Sequence, residues 1–88
     1  MKYYAAFLRM LDVQKSQEYR PQHLDFLVQN EKEGRIFARG RFADGSGGLV
    51  IYIAESFEQA QVLAESDPLI VNGARELDIH EWDMKTAK

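Results

Sequence analysis

Four segments of the chain have the hydrophobic pattern of β-strands. Residues 3–11 and 49–54 carry apolar side chains on both alternating sets of positions, which is typical of strands covered on both faces. Residues 36–42 and 76–84 predict two further strands, with side chains pointing alternately to the two faces. Residues 12–18 are polar and predict a connection after the first strand.

Two other segments have the pattern of helices. The first begins around Pro21, which suits a first helical turn because its missing N–H is not needed there, and ends at Gly34, a natural left-handed cap. The second opens with a capping box, in which the Ser56 hydroxyl accepts from a backbone amide and Gln59 reaches back. It ends before Asp67-Pro68, because a residue preceding proline avoids the α region.

The order strand, helix, strand, strand, helix, strand predicts an α+β fold. Right-handed crossovers in both strand–helix–strand units give a ferredoxin-like βαββαβ sandwich with an antiparallel sheet. Two helices cover only one face of this sheet, yet the first and third strands are apolar on both faces. We therefore expect a second copy to cover the other face in a twofold dimer. The alternative is a monomer whose sheet binds a ligand or another protein.

Length and charge limit the classes of function. The 88 residues leave room for one domain, so residues 1–88 are expected to form a single domain. The chain has no cysteine, which fits a cytoplasmic location. The net charge is −3 with no run of Lys or Arg, so no nucleic-acid partner is expected. The apolar segments are too short to cross a membrane, and residues 86–88 are expected to fray.

Several short motifs, in order and spacing, resemble the YciI-like (YCII-related) family over nearly the whole chain. They are Arg20-x-x-His23-Leu24, Gly34-Arg35-Ile36, Ser56-Phe57-Glu58-Gln59-Ala60, Asp67-Pro68 and Gly73. The resemblance implies a homodimer of ferredoxin-like subunits, the dimeric α+β barrel, with a cavity at each boundary between sheet and helices. It also implies a small-molecule ligand, since a few relatives act on chlorinated or hydroxylated aromatic compounds by dehydrochlorination.

The proposed catalytic pair of this family is a histidine and an aspartate, which correspond here to His23 and Asp67. Topology supports the pairing, because the start of the first helix and the end of the second lie at the same end of the sheet. There His23 could exchange a proton near neutral pH while Asp67 fixes its tautomer. Two structural alternatives stay open: Asp67 caps the short turn that Pro68 begins, and His23 is a buried histidine bonded to backbone.

Two arginines are candidate substrate-binding residues. Arg20 could hold a substrate carboxylate or phenolate in bidentate fashion, or could be a surface charge. Many family members have Gly-Pro in the second strand, where this chain has Gly40-Arg41, which makes the expected pocket more basic. We expect Arg39 and Arg41 to share a face of that strand with Phe37 and to attract an anion or pair with carboxylates.

Two classes of function are consistent with these residues. One is a small enzyme of the lyase, isomerase or dehydrohalogenase type, without a cofactor. The other is a non-catalytic module that binds a small molecule or regulates, with an interaction subunit as a third option. No metal is expected, since His80 and Glu81 point to opposite faces of a strand, and no zinc spacing or phosphate-binding glycine motif occurs.

Overall fold

The predicted strands form one antiparallel sheet in the computed structural model, which describes residues 1–87. The order across the sheet is β2-β3-β1-β4, so β1 and β3 are central and the two others are edges. This is the ferredoxin-like order that the sequence predicts. The bounds are Lys2–Met10 for β1, Ile36–Arg41 for β2, Gly47–Ala54 for β3 and Arg75–Trp82 for β4. Lys88, in the tail expected to fray, lies outside the described residues.

The helices are α1 (Val13–Glu18), α2 (Arg20–Lys32), α3 (Phe57–Glu65) and α4 (Pro68–Val71). One face of the sheet packs against the longer helices and forms the core, because the apolar sides of α2 and α3 need a partner. The fully or nearly buried residues of this core include Tyr4, Ala6, Leu8, Leu27, Val50, Tyr52, Ala60 and Ala64. Within residues 1–87, no helix is both long and apolar enough to cross a membrane.

The predicted helix ends are confirmed. Gly34 has a φ of 75°, the left-handed conformation expected of a helix cap. The Ser56 hydroxyl oxygen accepts a hydrogen bond from the Gln59 amide at 3.1 Å, and the Gln59 side chain accepts from the Glu55 amide at 2.7 Å. These bonds satisfy the Gln59 amide, in the first turn of α3, and the Glu55 amide, just before its N-cap.

The polar connection predicted for residues 12–18 is wrong in one respect, because most of it is the helix α1. The Asp12 carboxylate caps this helix by accepting from the Lys15 amide at 3.0 Å. Its one aliphatic side chain, Val13, is 56% exposed, so α1 lacks the apolar stripe by which helices are recognised. Its buried residue is instead Ser16, whose hydroxyl lies 3.4 Å from the carbonyl oxygen of Ala74.

The face predicted for Arg39 and Arg41 is also wrong. A β-bulge between Ile36 and Ala38 shifts the register, so that Arg39 pairs with Val50, whose side chain is in the core. Arg39 and Arg41 therefore lie on the helix side of the sheet. Phe37 lies on the other side, with its ring centroid 5.2 Å from that of Tyr3.

The face of the sheet away from the helices is uncovered in the single chain and carries several large apolar side chains. Phe7, Phe37 and Trp82 are 41%, 50% and 43% exposed. Phe42 stacks on Phe7 with 6.3 Å between ring centroids. We call the surface formed by Tyr3, Phe7, Phe37, Phe42 and Trp82 the aromatic face. Exposed apolar surface of this kind is typical of an interaction site.

Candidate functional site

A cavity of about 660 Å³ opens at one end of the sheet, between the first turn of α2 and the strands. Its walls come from the ends of β1 and β2, the start of β3, the connection of residues 42–46 and the start of β4. The helix side supplies His23 and Leu24, and the sheet side supplies Leu8 and Val50. This volume is within the range of small-molecule sites.

His23 and Asp67 meet beside this cavity. The His23 Nδ1 lies 2.8 Å from Asp67 Oδ1. The Asp67 side chain is fully buried, whereas 13% of the His23 side chain is exposed and lines the cavity. The two residues come from helices in different halves of the chain, α2 and the start of α4, and both of those helix ends lie at the same end of the sheet.

The same carboxylate oxygen also caps α4. Asp67 Oδ1 accepts a hydrogen bond from the Leu69 amide at 2.9 Å, and Pro68 occupies the first position of the helix. The cap and the histidine contact are therefore both present and do not exclude each other. Since Oδ1 acts as an acceptor, the imidazole is the donor through Nδ1–H. In the neutral ring Nε2 is then unprotonated, and it has no hydrogen-bond partner among residues 1–87.

Both arginines predicted to bind substrate line the cavity. Arg20 precedes His23 by three residues, which places the two side chains on the same side of α2. Arg41 reaches the cavity from the end of β2. Across the part of the chain that the structure describes, neither guanidinium has a carboxylate within ion-pair distance. Their charges are therefore available to a ligand.

Arg39 lines the cavity as well, but its charge is already matched. Its Nε donates to Glu31 Oε2 at 2.8 Å. This hydrogen bond raises the pKa of Arg39 and lowers that of Glu31. The pair links β2 to α2 and leaves Arg41 as the free cation of that strand in the described chain.

Arg75, the fourth arginine of the cavity, was not predicted from the sequence. The fourth strand was predicted to begin at residue 76, so Arg75 fell in a connection. A signal exists, because Arg75 shares its alternating set with Leu77 and Ile79, which face the helices. Burial lowers the pKa of Arg75, the charge of Asp67 raises it in part, and the charge of Arg20 lowers it further.

Two tyrosines of the core place unbonded hydroxyl groups in the protein interior. The hydroxyls of Tyr4 and Tyr52 and the Oδ2 atom of Asp67 are buried, and none of them has a hydrogen-bond partner among residues 1–87. Burial and the nearby charge of Asp67 raise the pKa of Tyr52 far above its ordinary value. Within residues 1–87, no three histidine or carboxylate side chains are grouped as a metal site would require.

The chain is similar to known proteins in sequence and in fold. The family model of the YCII-related domain matches residues 1–83. The uncharacterized protein YjpA of Bacillus subtilis (strain 168) is 37% identical over 70 residues, which are 80% of this chain and 82% of that protein.

Among solved structures, 5-chloro-2-hydroxyhydroquinone dehydrochlorinase (TftG) from Burkholderia phenoliruptrix AC1100, in complex with 2,5-dihydroxybenzoquinone, has the same fold. The TM-score is 0.79 at 18% identity, over 94% of this chain and 95% of that one. The shared architecture is the ferredoxin-like α+β fold. From the family model and the sequence relative together, we conclude that the chain belongs to the YCII-related domain family.

Proposed function

We propose that this protein is a small, cofactor-independent enzyme in which His23 and Asp67 perform acid–base chemistry on a small polar or aromatic substrate. One observation carries the proposal. A histidine at the wall of a cavity donates through Nδ1 to a fully buried carboxylate, which leaves Nε2 as the basic nitrogen of the ring. This is the arrangement by which a carboxylate orients a histidine base and stabilises the imidazolium that forms.

In such a reaction the substrate lies in the cavity with an acidic C–H or O–H against Nε2 of His23. The histidine takes the proton, and the buried charge of Asp67 stabilises the resulting imidazolium. In a lyase or dehydrohalogenase, the electron pair left on the substrate expels the leaving group. In an isomerase, the imidazolium returns the proton at another atom. The dehydrochlorinase activity of the structural neighbour is an example of the first type.

Arg20 and Arg41 are the proposed substrate-binding residues. Both line the cavity and neither has an ion-pair partner in the described part of the chain. A guanidinium binds a carboxylate or phenolate with two parallel hydrogen bonds, which fixes the orientation of the substrate as well as its charge. Arg20, one turn before His23, would hold the acidic group that lies next to the base.

A second candidate function is a non-catalytic module that binds or senses a small molecule. The observation that favours it is the cap on α4, because the bond from the Leu69 amide to Asp67 gives the carboxylate a structural reason to be there. In that case His23 contributes only a hydrogen bond to the cavity wall. Binding without turnover separates this candidate from the enzyme.

We further propose that the protein is a homodimer in the cytoplasm. The aromatic face exposes Phe7, Phe37 and Trp82, and a second copy of the same face would bury them around a twofold axis. The absence of cysteine agrees with a reducing compartment.

The test of the catalytic proposal uses the two histidines of the chain as a matched pair. A screen of 5-chloro-2-hydroxyhydroquinone, hydroxylated aromatic acids and lactones is followed by absorbance and, for the chlorinated compound, by chloride release. Once a substrate is found, His23→Gln is expected to lower kcat by about 10²–10⁴-fold, as for loss of a general base. His80→Gln is the control, since His80 contacts Asp78 on β4, outside the cavity; because it lies on the same face as Trp82, sedimentation checks that this variant associates as the natural chain does.

Asp67→Asn gives a second measurement at the same site. Asparagine caps helices as well as aspartate does, so α4 is expected to persist and the variant to stay folded. The amide cannot stabilise an imidazolium as a carboxylate does, so kcat is expected to be lower than in the natural chain, as it is in His23→Gln. Turnover at the natural rate in folded His23→Gln would contradict the catalytic role.

A further inference from the structure

Arg75, at the start of β4, is a half-buried cation without a counter-ion. Its Nε donates to the Ser16 hydroxyl at 3.1 Å, and one terminal nitrogen lies 3.4 Å from the carbonyl oxygen of Leu8. Both of these partners are neutral. Within residues 1–87, no carboxylate comes within ion-pair distance of Arg75. A partly buried charge is costly unless an opposite charge or several hydrogen bonds compensate it.

The guanidinium of Arg75 retains donors for a ligand. A guanidinium carries five N–H groups, and the two contacts just described use only part of them. Arg75 lines the cavity, so the remaining donors are within reach of a molecule bound there. The bond to Ser16 also holds the side chain in place, because Ser16 is itself buried in α1. The group is thus positioned before any ligand arrives, which lowers the entropic cost of binding.

The cavity as a whole carries an excess of positive charge. Of its four arginines, Arg39 is neutralised by Glu31. Three guanidiniums then face the single carboxylate of Asp67, which is buried behind His23. With a neutral histidine, the site has about two uncompensated positive charges, whereas the chain has a net charge of −3. A local excess opposite to the overall charge attracts anions into the cavity.

The charges lie at both sides of the cavity floor. Arg41 ends β2, one edge of the sheet, and Arg75 starts β4, the other edge. Between them the register places Gly48 opposite Arg41 and Leu8 opposite Gly48, so the middle of the floor is apolar or without a side chain. One molecule lying across this floor can meet a guanidinium at each end.

We infer that the cavity binds a small organic dianion, with Arg75 and Arg20 on the acidic group nearest His23 and Arg41 on the second acidic group. This inference deepens the proposed function by naming its substrate class and adds Arg75 as a substrate-binding residue. The pKa of Arg75, lowered by burial and by the charge of Arg20, agrees with two guanidiniums that converge on one group. An anion bound between them would remove this mutual repulsion.

The test measures binding of three probes of similar shape by isothermal titration calorimetry at low ionic strength. They are terephthalate (called phthalate below), with negative charges at two opposite ends of its ring, benzoate with one and benzamide with none. Phthalate is expected to bind at least about tenfold more tightly than benzoate, since each charge-assisted contact contributes a factor of about ten or more. Equal affinity for phthalate and benzoate would overturn the inference.

Arg75→Gln is expected to weaken phthalate binding by about 10–100-fold. Arg35→Gln is the matched control, because Arg35 follows the far end of α2, away from the cavity. This variant is expected to bind phthalate as the natural chain does. Arg75→Lys keeps the charge but loses the planar pair of donors, and an intermediate loss is expected. Natural affinity in both folded Arg75 variants, checked by circular dichroism, would overturn the role of Arg75.

These results can be separated from those of the catalytic proposal. The binding measurements use the natural chain and the Arg75 variants, in all of which His23 is intact, so they do not depend on turnover. If the enzyme proposal fails because no substrate is turned over, the phthalate measurements keep their meaning. If phthalate binds no better than benzoate while His23→Gln abolishes turnover, the substrate class fails and the acid–base function stands.

Discussion

At the scale of single residues, the site rests on a buried layer of polar atoms that are not fully bonded. The carboxylate of Asp67 uses Oδ1 twice, for the Leu69 amide and for His23, and leaves Oδ2 without a partner. The hydroxyl of Tyr52 is buried and unpartnered as well. Unpaired buried polar groups cost stability, and their concentration next to a functional site is typical of residues retained for chemistry.

This environment gives Tyr52 a distinct dependence on pH. Burial and the charge of Asp67 raise its pKa in the folded protein, whereas in the unfolded chain tyrosine ionises at about pH 10. The raised pKa means that the folded state holds its proton where the unfolded state loses it. The contribution to the free energy of unfolding is therefore intact below about pH 10 and is lost as the pH rises above that value.

We predict that Tyr52→Phe reduces the fall of stability at alkaline pH. Near neutral pH the variant is expected to match the natural chain to within about 1 kcal/mol, since the lost hydroxyl has no partner. Above about pH 10 it is expected to be the more stable of the two. The measurement is chemical denaturation at a series of pH values. Tyr19→Phe, between α1 and α2, leaves Tyr52 in place and should follow the natural curve.

Sequence predicted part of this residue-scale picture. His23 and Asp67 come from short motifs near helix ends, whose positions follow from proline and capping signals, and the structure brings the two side chains into contact. Their catalytic role stays a prediction. Arg75 could not be found in the same way, since its position in the cavity depends on where β4 begins, and strand ends carry little signal in a sequence.

At the scale of elements, the connection between β2 and β3 sets the shape of the cavity rim. Gly47 starts β3 with a φ of +146°, and a Cβ atom built there would lie 2.2 Å from the carbonyl oxygen of Leu8. The two strands β1 and β3 can therefore approach closely only because residue 47 has no side chain. This approach positions the rim next to Arg41.

We predict that Gly47→Ala lowers the free energy of unfolding by at least about 2 kcal/mol, through strain in the backbone and the clash with Leu8. Gly40→Ala is the control on the neighbouring strand. Nothing lies within 4 Å of a Cβ atom built at Gly40, so its stability is expected to be unchanged or raised by up to about 1 kcal/mol. Denaturant titration of both variants tests this, and equal stability would contradict the role of Gly47.

Two elements, α1 and β2, were predicted incorrectly, and each error has a physical reason. Helix α1 is held by the Asp12 cap and by Ser16 rather than by an apolar stripe, so hydrophobic periodicity cannot reveal it. The bulge in β2 inverts the faces of Arg39 and Phe37 relative to simple alternation. The positions of α2 and α3 follow from the helix-end signals at Pro21, Gly34 and Ser56, and the apolar runs of β1 and β3 extend over many residues, so these elements were predicted well.

At the scale of the whole molecule, a chain of 88 residues leaves one face of its only described sheet uncovered. Such a short chain buries a modest fraction of its surface and gains much from association. The aromatic face offers Phe7, Phe37 and Trp82 for that purpose. We therefore expect the dimer and the folded subunit to depend on each other.

We predict that Phe37→Lys or Phe7→Asp shifts the protein from dimer to monomer, because a charge would then be buried in an apolar interface. Val62→Lys is the control, since Val62 is 66% exposed on α3, on the helix side. Sedimentation equilibrium over a range of concentrations measures the change. A natural chain that sediments as a monomer at all concentrations would refute the dimer.

Asp67 Oδ1 accepts one hydrogen bond from the Leu69 amide and one from His23, and the bond from His23 has a consequence for spectroscopy. The proton on His23 Nδ1 connects α2 to the start of α4, and we expect it to exchange with water slowly only while these two elements are in contact. Its nuclear magnetic resonance signal would then serve as a single-atom reporter of the assembled fold. Titrating a ligand or a denaturant against that one line would follow the site and the tertiary structure in the same experiment.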